Sequence, residues 1–240
     1  SARYDQAINF WDETWGMRNQ VVVAINGYFY DPETAVPQSG LVQSAWYAKR
    51  FDDRQSGSGF AWTLDRQAFI GGCVAHNRNK QVVTLLGSGE SIQFEAINTP
   101  LEKPNLVIFT PQYGSATPMQ EARLEALVEL DRPLMIMPAP AMITGTVRTV
   151  SMGQGQTLIS FDHIVLSAGG EMAEWLRSRL QPGKQLGISQ ELRHFESDCR
   201  TPVSLSWSKT YAGIGASFVF LKDSAIQKFT QTAPLLRTPR

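Results

Sequence analysis

Ala7, Ile8, Trp11 and Trp15 recur at helical spacing with acidic residues between them, which predicts an amphipathic first helix over residues 4–17. The chain then runs into Val21, Val22, Val23, Ala24 and Ile25, a β-branched stretch closed by Asn26-Gly27-Tyr28-Phe29-Tyr30-Asp31-Pro32. That run predicts a buried strand. The Asn-Gly pair after it sets an amide and a permissive backbone at the strand's carboxyl end, where ligand sites often form. Up to about Asn98 the pattern is extended: residues 59–64, 68–74, 81–86 and 91–96 are short apolar or alternating runs punctuated by Gly, Asn, Asp or Ser, and they read as a meander of strands.

Further strands are predicted at 106–110, 144–152, 163–167, 185–192 and 202–207, with a short buried one at 217–221. Residues 119–130 carry helix-forming types in a strand-like alternation of Ala122, Leu124, Ala126, Val128 and Leu130, and the alternation favours a strand. Pro133, Pro138 and Pro140 mark a loop, because apolar residues fill the gaps between them. Met172, Trp175, Leu176 and Leu180 make one apolar face, and Pro182-Gly183 stops it, so a helix is predicted over 171–180. The sum is an α+β domain with a mostly β, mixed-sheet core and few helices.

With 240 residues, 42% of them hydrophobic, the chain can bury a substantial core. Lys plus Arg and Asp plus Glu both number 22 and are spread without long runs, so no electrostatic footprint for nucleic acid is present. No apolar stretch reaches the length of a membrane span, and residues 1–6 carry no signal-peptide pattern; any targeting signal is removed or not included. Cys73 and Cys199 are the only cysteines, without a CxxC pair or histidines at ligand spacing, which argues against a zinc site. They are either a disulfide, contributing about 4–5 kcal/mol through loop closure, or two separate buried thiols. No metal or organic cofactor is expected. His76, His163 and His194 are isolated, and Gly71-Gly72 and Gly169-Gly170 lack phosphate-loop spacing and read as bends.

Several phrases, taken in order, resemble the phosphodiester glycosidase domain family, that of N-acetylglucosamine-1-phosphodiester α-N-acetylglucosaminidase. Ala24 to Asp31 resembles the family's "A-I/L-N-G-G-Y/F-F" turn, and Pro37 to Val42 its "P-x-G-x-V" stretch. Ile97-Asn98-Thr99-Pro100, followed by Asn105 to Gly114, is similar to "N-x-x-R…N-x-L-V-x-Y/F-T-P-x-Y/F-G". Gly145 to Val150, Val165 to Gly170 and Leu180 to Leu186 resemble its "G-x-V", "V-L-S-x-x-G" and "x-x-G-D-x-V" positions. The resemblance spans nearly the whole chain as a single domain. Tyr28 stands where the family has a second glycine. The chain stops after Arg240, at what looks like the opening of "x-P-R-T-A-I/V-G", and the later "D-G-G-G-S" region is absent. The resemblance therefore implies a domain incomplete at its C-terminus, and at its N-terminus too, since the family usually has strands before the first helix.

What the resemblance implies is a secreted, periplasmic or cell-surface hydrolase acting on a sugar phosphodiester in a glycan or cell-envelope polymer. Its cleft would be completed by a following segment or a partner chain. Such chemistry needs sugar-binding groups, donors for phosphate charge and a carboxyl group for proton transfer. Asn26 would bond sugar hydroxyls or phosphate, Asp31 would supply the carboxyl, and Arg240 the guanidinium fork for an oxyanion. Gly27, Tyr28 and Trp46 would line the substrate. Plainer readings stand beside these: Asn-Gly pairs form tight turns, a last-residue Arg is solvated, and Asp31, Asp52, Asp53, Asp65 and Asp223 can all be turn residues. Trp46 and Trp62 are the tryptophans nearest the turn, either stacking a sugar or filling the core. The competing functional class is a noncatalytic glycan-binding module or structural subunit of a surface assembly.

Overall fold

The computed structural model describes residues 30, 32, 37, 40–43, 46–49, 58–63, 65–72, 74–101, 105–120, 123–132, 142–194, 210–216, 221–222 and 224–226. The chain divides into two compact units, Tyr28–Thr232 and a unit formed by Ser1–Gly27 with Ala233–Arg240, and every described residue belongs to the first. The predicted helix at 4–17 and the predicted strands at 21–25 and 202–207 lie outside the described residues, as does the Pro-rich stretch from Pro133 to Pro140.

The first strands are β1 (Leu41–Gln43), β2 (Trp46–Lys49), β3 (Ser58–Thr63), β4 (Ala68–Gly72), β5 (Val74–Leu85), β6 (Ser91–Gln93), β7 (Ala96–Ile97) and β8 (Leu106–Phe109). They are followed by β9 (Arg123–Leu130), β10 (Met142–Gly153) and β11 (His163–Ala168), then by the helix α1 (Glu171–Arg179). The last are β12 (Gln185–His194), β13 (Thr210–Ala216), β14 (Leu221–Lys222) and β15 (Ala225–Ile226). The ambiguous 119–130 stretch is a strand over its last eight residues because both of its faces are buried, which alternation on a sheet achieves and one helical stripe does not.

The strands do not form a meander. They separate into a five-stranded sheet of order β2-β1-β13-β3-β4 and an eight-stranded sheet of order β6-β5-β12-β10-β9-β11-β8-β7, with β14 and β15 as a small hairpin. The β1–β2 and β3–β4 hairpins are joined by β13, which runs antiparallel to β1 and β3. The chain then passes to the other sheet, where β5 pairs with β6 and β12. Sequence alternation identifies such hairpins but not the distant partner that each edge takes. The eight-stranded sheet is mixed: β7 and β8 are parallel, and its other pairs are antiparallel.

The inner faces of both sheets share one core. Val42, Tyr47 and Ala61 of the five-stranded sheet join Ile97, Ile108, Leu124, Val128, Leu166 and Ile188 of the other, and α1 contributes Ala173 and Leu176. Each large aliphatic chain buried here contributes about 1.5–3 kcal/mol. On the opposite face of the eight-stranded sheet lies a smaller cluster of Ala96, Val107, Phe109, Ile159 and Val165. Strand β9 thus sends Leu124, Ala126, Val128 and Leu130 into the main core, and Arg123 and Glu125 to the second face.

Candidate functional site

Asn26, Gly27, Tyr28, Asp31 and Arg240 lie outside the described residues, as do Asp52, Asp53, Asp223, Cys73 and Cys199. Trp46 opens β2, with its backbone paired to Gln43. Tyr30 and Pro37 form an antiparallel bridge, so the end of the Asn-Gly phrase is laid against the start of the "P-x-G-x-V" stretch. Asp65 is exposed in the β3–β4 turn, where its Oδ1 accepts from the Thr63 hydroxyl, a local turn contact. Trp62 stands 39% exposed on β3 rather than in the core. His163 Nδ1 lies 2.6 Å from Asp162 Oδ1, while His76 and His194 occupy β5 and β12. Among the described residues no group of three or more His, Cys, Asp or Glu could hold a metal ion.

The remaining resemblance segments meet in two buried polar networks. In the first, Asn98 follows β7 at φ 51°, a left-handed backbone that asparagine tolerates better than most residues. Its Nδ2 donates to Ala48 O at 3.0 Å and to Thr110 Oγ1 at 2.8 Å, and its Oδ1 accepts from Thr110 N at 2.8 Å. Its backbone N–H reaches Ile108 O at 2.9 Å. One buried amide therefore ties the end of β8 to β2, the strand that Trp46 opens, across the junction of the two sheets. Next to it, Phe109 and Tyr113 meet edge to face with centroids 4.8 Å apart, and burial pushes the Tyr113 phenol above its ordinary pKa.

In the second network Arg123, only 6% exposed, spends its guanidinium on neutral oxygens. Nε donates to Ser167 Oγ at 3.0 Å, and Nη1 to Leu101 O at 3.3 Å. Nη2 donates to Asn105 Oδ1 at 2.7 Å, Asn105 O at 2.9 Å and Ser167 O at 3.0 Å. Asn105 and Ser167 belong to two resemblance phrases, and this arginine joins them. Burial lowers the Arg123 pKa, and the charge of Glu125, two residues along the same face, opposes that shift.

Glu125, 2% exposed, is held from above by two loops. Its Oε2 accepts from Thr117 Oγ1 at 3.1 Å and from the Thr157 hydroxyl. Those threonines are locked together, with Thr117 N donating to Thr157 O and Thr157 N to Thr117 Oγ1, both at 3.0 Å. Oε1 of Glu125 and Nε2 of Gln120 are buried without a protein hydrogen-bond partner. Sequence reasoning did not single out Arg123, Glu125, Thr117 or Thr157. The signal available was two charges at alternate positions at the start of a mostly apolar strand, Arg123-Leu124-Glu125-Ala126-Leu127-Val128-Glu129-Leu130.

No family model matches the chain, and no curated protein matches it. Solved structures share its fold. A hypothetical protein from Synechocystis superposes with a TM-score of 0.55 at 15% identity, covering 91% of this chain and 35% of that protein. A candidate exported protein from Burkholderia pseudomallei K96243 gives 0.53 at 19% identity, covering 80% of this chain and 40% of that one. The chain thus spans 35% and 40% of the length of these two proteins, and at such identities the likeness is one of fold alone.

Chemically, the Asn98 and Arg123 contacts are closed, while Glu125 Oε1 and Gln120 Nε2 beside them have no protein partner. The described hydrogen bonds of Asn98 and Arg123 go to oxygens of the protein itself. Their role is positional: they fix the ends of β2, β7, β8, β9 and β11 relative to one another.

Proposed function

We propose that this chain is a phosphodiester glycosidase-like hydrolase domain acting outside the cytoplasm on a sugar joined through a phosphodiester in a glycan or cell-envelope polymer. The observation that carries the reading is the meeting of Asn105 and Ser167, from resemblance phrases far apart in sequence, on the single guanidinium of Arg123. Segments that resemble a family in order and also converge in space support a common scaffold. The Tyr30–Pro37 bridge and the Asn98 link to Ala48 support it further: the first is an isolated bridge at the end of the Asn-Gly phrase, and the second anchors β2, which Trp46 opens. The exported description of one protein of shared fold favours an extracytoplasmic setting.

On this reading Asn26, Gly27 and Tyr28 contact the sugar, Trp46 stacks on it, Asp31 transfers the proton and Arg240 balances the phosphate charge. The test is to incubate the purified protein with a panel of sugar 1-phosphodiesters, N-acetylglucosamine 1-phosphomannoside among them, and to follow free sugar by NMR. Release that falls at least a hundredfold in Asn26→Ala and Asp31→Ala is expected. Absence of release from every diester refutes the hydrolase reading. A noncatalytic glycan-binding domain is the second reading, favoured by the bulk of Tyr28 at a glycine position and by the exposed ring of Trp62.

A further inference from the structure

The five-stranded sheet is two-sided in composition. Its inner face gives Val42, Tyr47 and Ala61 to the main core. Its outer face carries a row across four strands, Leu41–Ile214–Phe60–Ile70, each residue the register partner of the next. One step along β3 a second row runs Ala212–Trp62–Ala68. Phe60, Trp62 and Ile70 are 37%, 39% and 40% exposed, and Tyr211, at the bulge beside Ala212, is 37% exposed. Alternation on a strand makes one face apolar for packing; here the outer face is also aromatic, and water reaches it.

We propose that this outer face is a carbohydrate-stacking surface, on which Trp62 and Phe60 take the sugar rings of a neutral polysaccharide. Three observations select that occupant. The first is the room around the indole: the register partners of Trp62 on both sides are alanines, Ala68 on β4 and Ala212 on β13, with Tyr211 at the bulge beside Ala212. The Phe60 and Trp62 rings, 5.8 Å apart between centroids and tilted by 54°, do not stack face to face on each other, which leaves ring faces to a ligand. The C–H face of a pyranose is flat, apolar and of similar size to such a ring.

The second observation is area. Side chains of this size expose about 80 Å² each at these fractions, on the order of 300 Å² for all four. A stable protein–protein interface needs about 800 Å² from each partner; the four large side chains fall well short of that and are adequate for a few sugar rings, with the half-buried Leu41, Ala212 and Ile214 and exposed Ala68 adding to the face.

The third is charge. The β3–β4 turn immediately beyond Trp62 and Ala68 carries exposed Asp65, Arg66 and Gln67, one acid, one base and one amide. The formal charges of this turn cancel, so at this edge the rim offers hydrogen bonds to hydroxyls without a net field; at the other end of the first row Lys49 is the register partner of Leu41. The inference rests on the glycan-binding reading above, requires no turnover, and stands or falls separately from the hydrolase reading.

Affinity electrophoresis through gels containing a soluble β-1,3-glucan, a mannan or hydroxyethylcellulose, with polygalacturonate as the anionic comparison, tests it. Retardation by at least one neutral polymer is expected, weakened roughly tenfold in Trp62→Ala and several-fold in Phe60→Leu, while Trp62→Phe keeps most of it. Unchanged melting temperatures separate lost contact from lost folding, and Phe60→Leu carries the test if Trp62→Ala does not fold. The proposal is overturned if no neutral polymer retards the protein, if only polygalacturonate does, or if the variants are retarded as strongly as the wild type. It is equally overturned if sedimentation shows a Trp62-dependent dimer without glycan retardation, since the face then belongs to a second copy.

Discussion

Arg123→Met removes the group on which the second network depends. The side chain it replaces makes five hydrogen bonds to Leu101, Asn105 and Ser167, four of them buried and the one to Leu101 part-buried. Methionine fills much of the same volume, so little of the cost is cavity. The cost comes from oxygens left without donors and from Glu125, whose buried charge loses the favourable field of the cation two residues along the strand. Breaking a buried charged network of this kind costs about 3–5 kcal/mol. That is a large share of the roughly 5–15 kcal/mol that holds a domain folded. For a domain of this size each kcal/mol lowers the melting temperature by about 2–4 °C, so the central expectation is a fall of about 8–16 °C. Differential scanning calorimetry with a urea series at neutral pH measures it, and two companions locate the cause. Arg123→Lys keeps the charge but offers one compact ammonium instead of a planar fork, and should lose about half as much. Adding Glu125→Gln to Arg123→Met removes the orphaned charge and should recover roughly 1–2 kcal/mol. If Arg123→Met melts within about 3 °C of the wild type, the arginine does not hold these segments together and the positional reading is wrong.

Asn98→Gly keeps the left-handed backbone but loses three side-chain hydrogen bonds, for an expected loss of about 2–3 kcal/mol; Asn98→Ala should lose about 1 kcal/mol more through strain, measured by urea unfolding. At Gly155, with φ at 90°, a Cβ would sit 1.9 Å from Pro118 O, so Gly155→Ala should part the loops over Glu125 and speed amide exchange at Thr117 and Thr157 at least tenfold. Burial raises the Tyr47 phenol far above its ordinary value of about 10. Its contribution to stability is therefore complete below pH 10 and is lost as pH rises beyond it, at up to about 1.4 kcal/mol per pH unit; Tyr47→Phe should flatten that alkaline slope in stability measured from pH 8 to 11.

Strands whose residues are apolar on both faces were legible from sequence, as at Leu106–Phe109 and His163–Ala168, and so was the helix stopped by Pro182-Gly183. Strand β13 was not, because Ala212, Gly213, Gly215 and Ala216, which have little strand preference, interrupt the strand-forming Thr210, Tyr211 and Ile214. Its smallness has a packing cause: a Cβ on Gly213 would lie 2.8 Å from the Cβ of Ala61 on the neighbouring strand. Arg123 and Glu125 were illegible for a different reason. An isolated charge is normally solvated, and only partners brought from residues 101–105, 117, 157 and 167 make these two residents of the interior. Asn98, Asn105, Thr110 and Ser167 were marked by resemblance, yet their task as internal clasps emerged only from the contacts they make.

The placement of β13 between β1 and β3 also sets a timetable for biosynthesis. The two early hairpins of the five-stranded sheet cannot be joined until the chain has been made through residue 216, about 140 residues after β4 ends. At roughly 5–20 residues per second the gap lasts on the order of 7–30 s, during which β1 and β3 both offer open edges. A nascent chain of this design keeps two hairpins of one sheet apart, with their edges unpaired, for as long as its middle strand has yet to be translated.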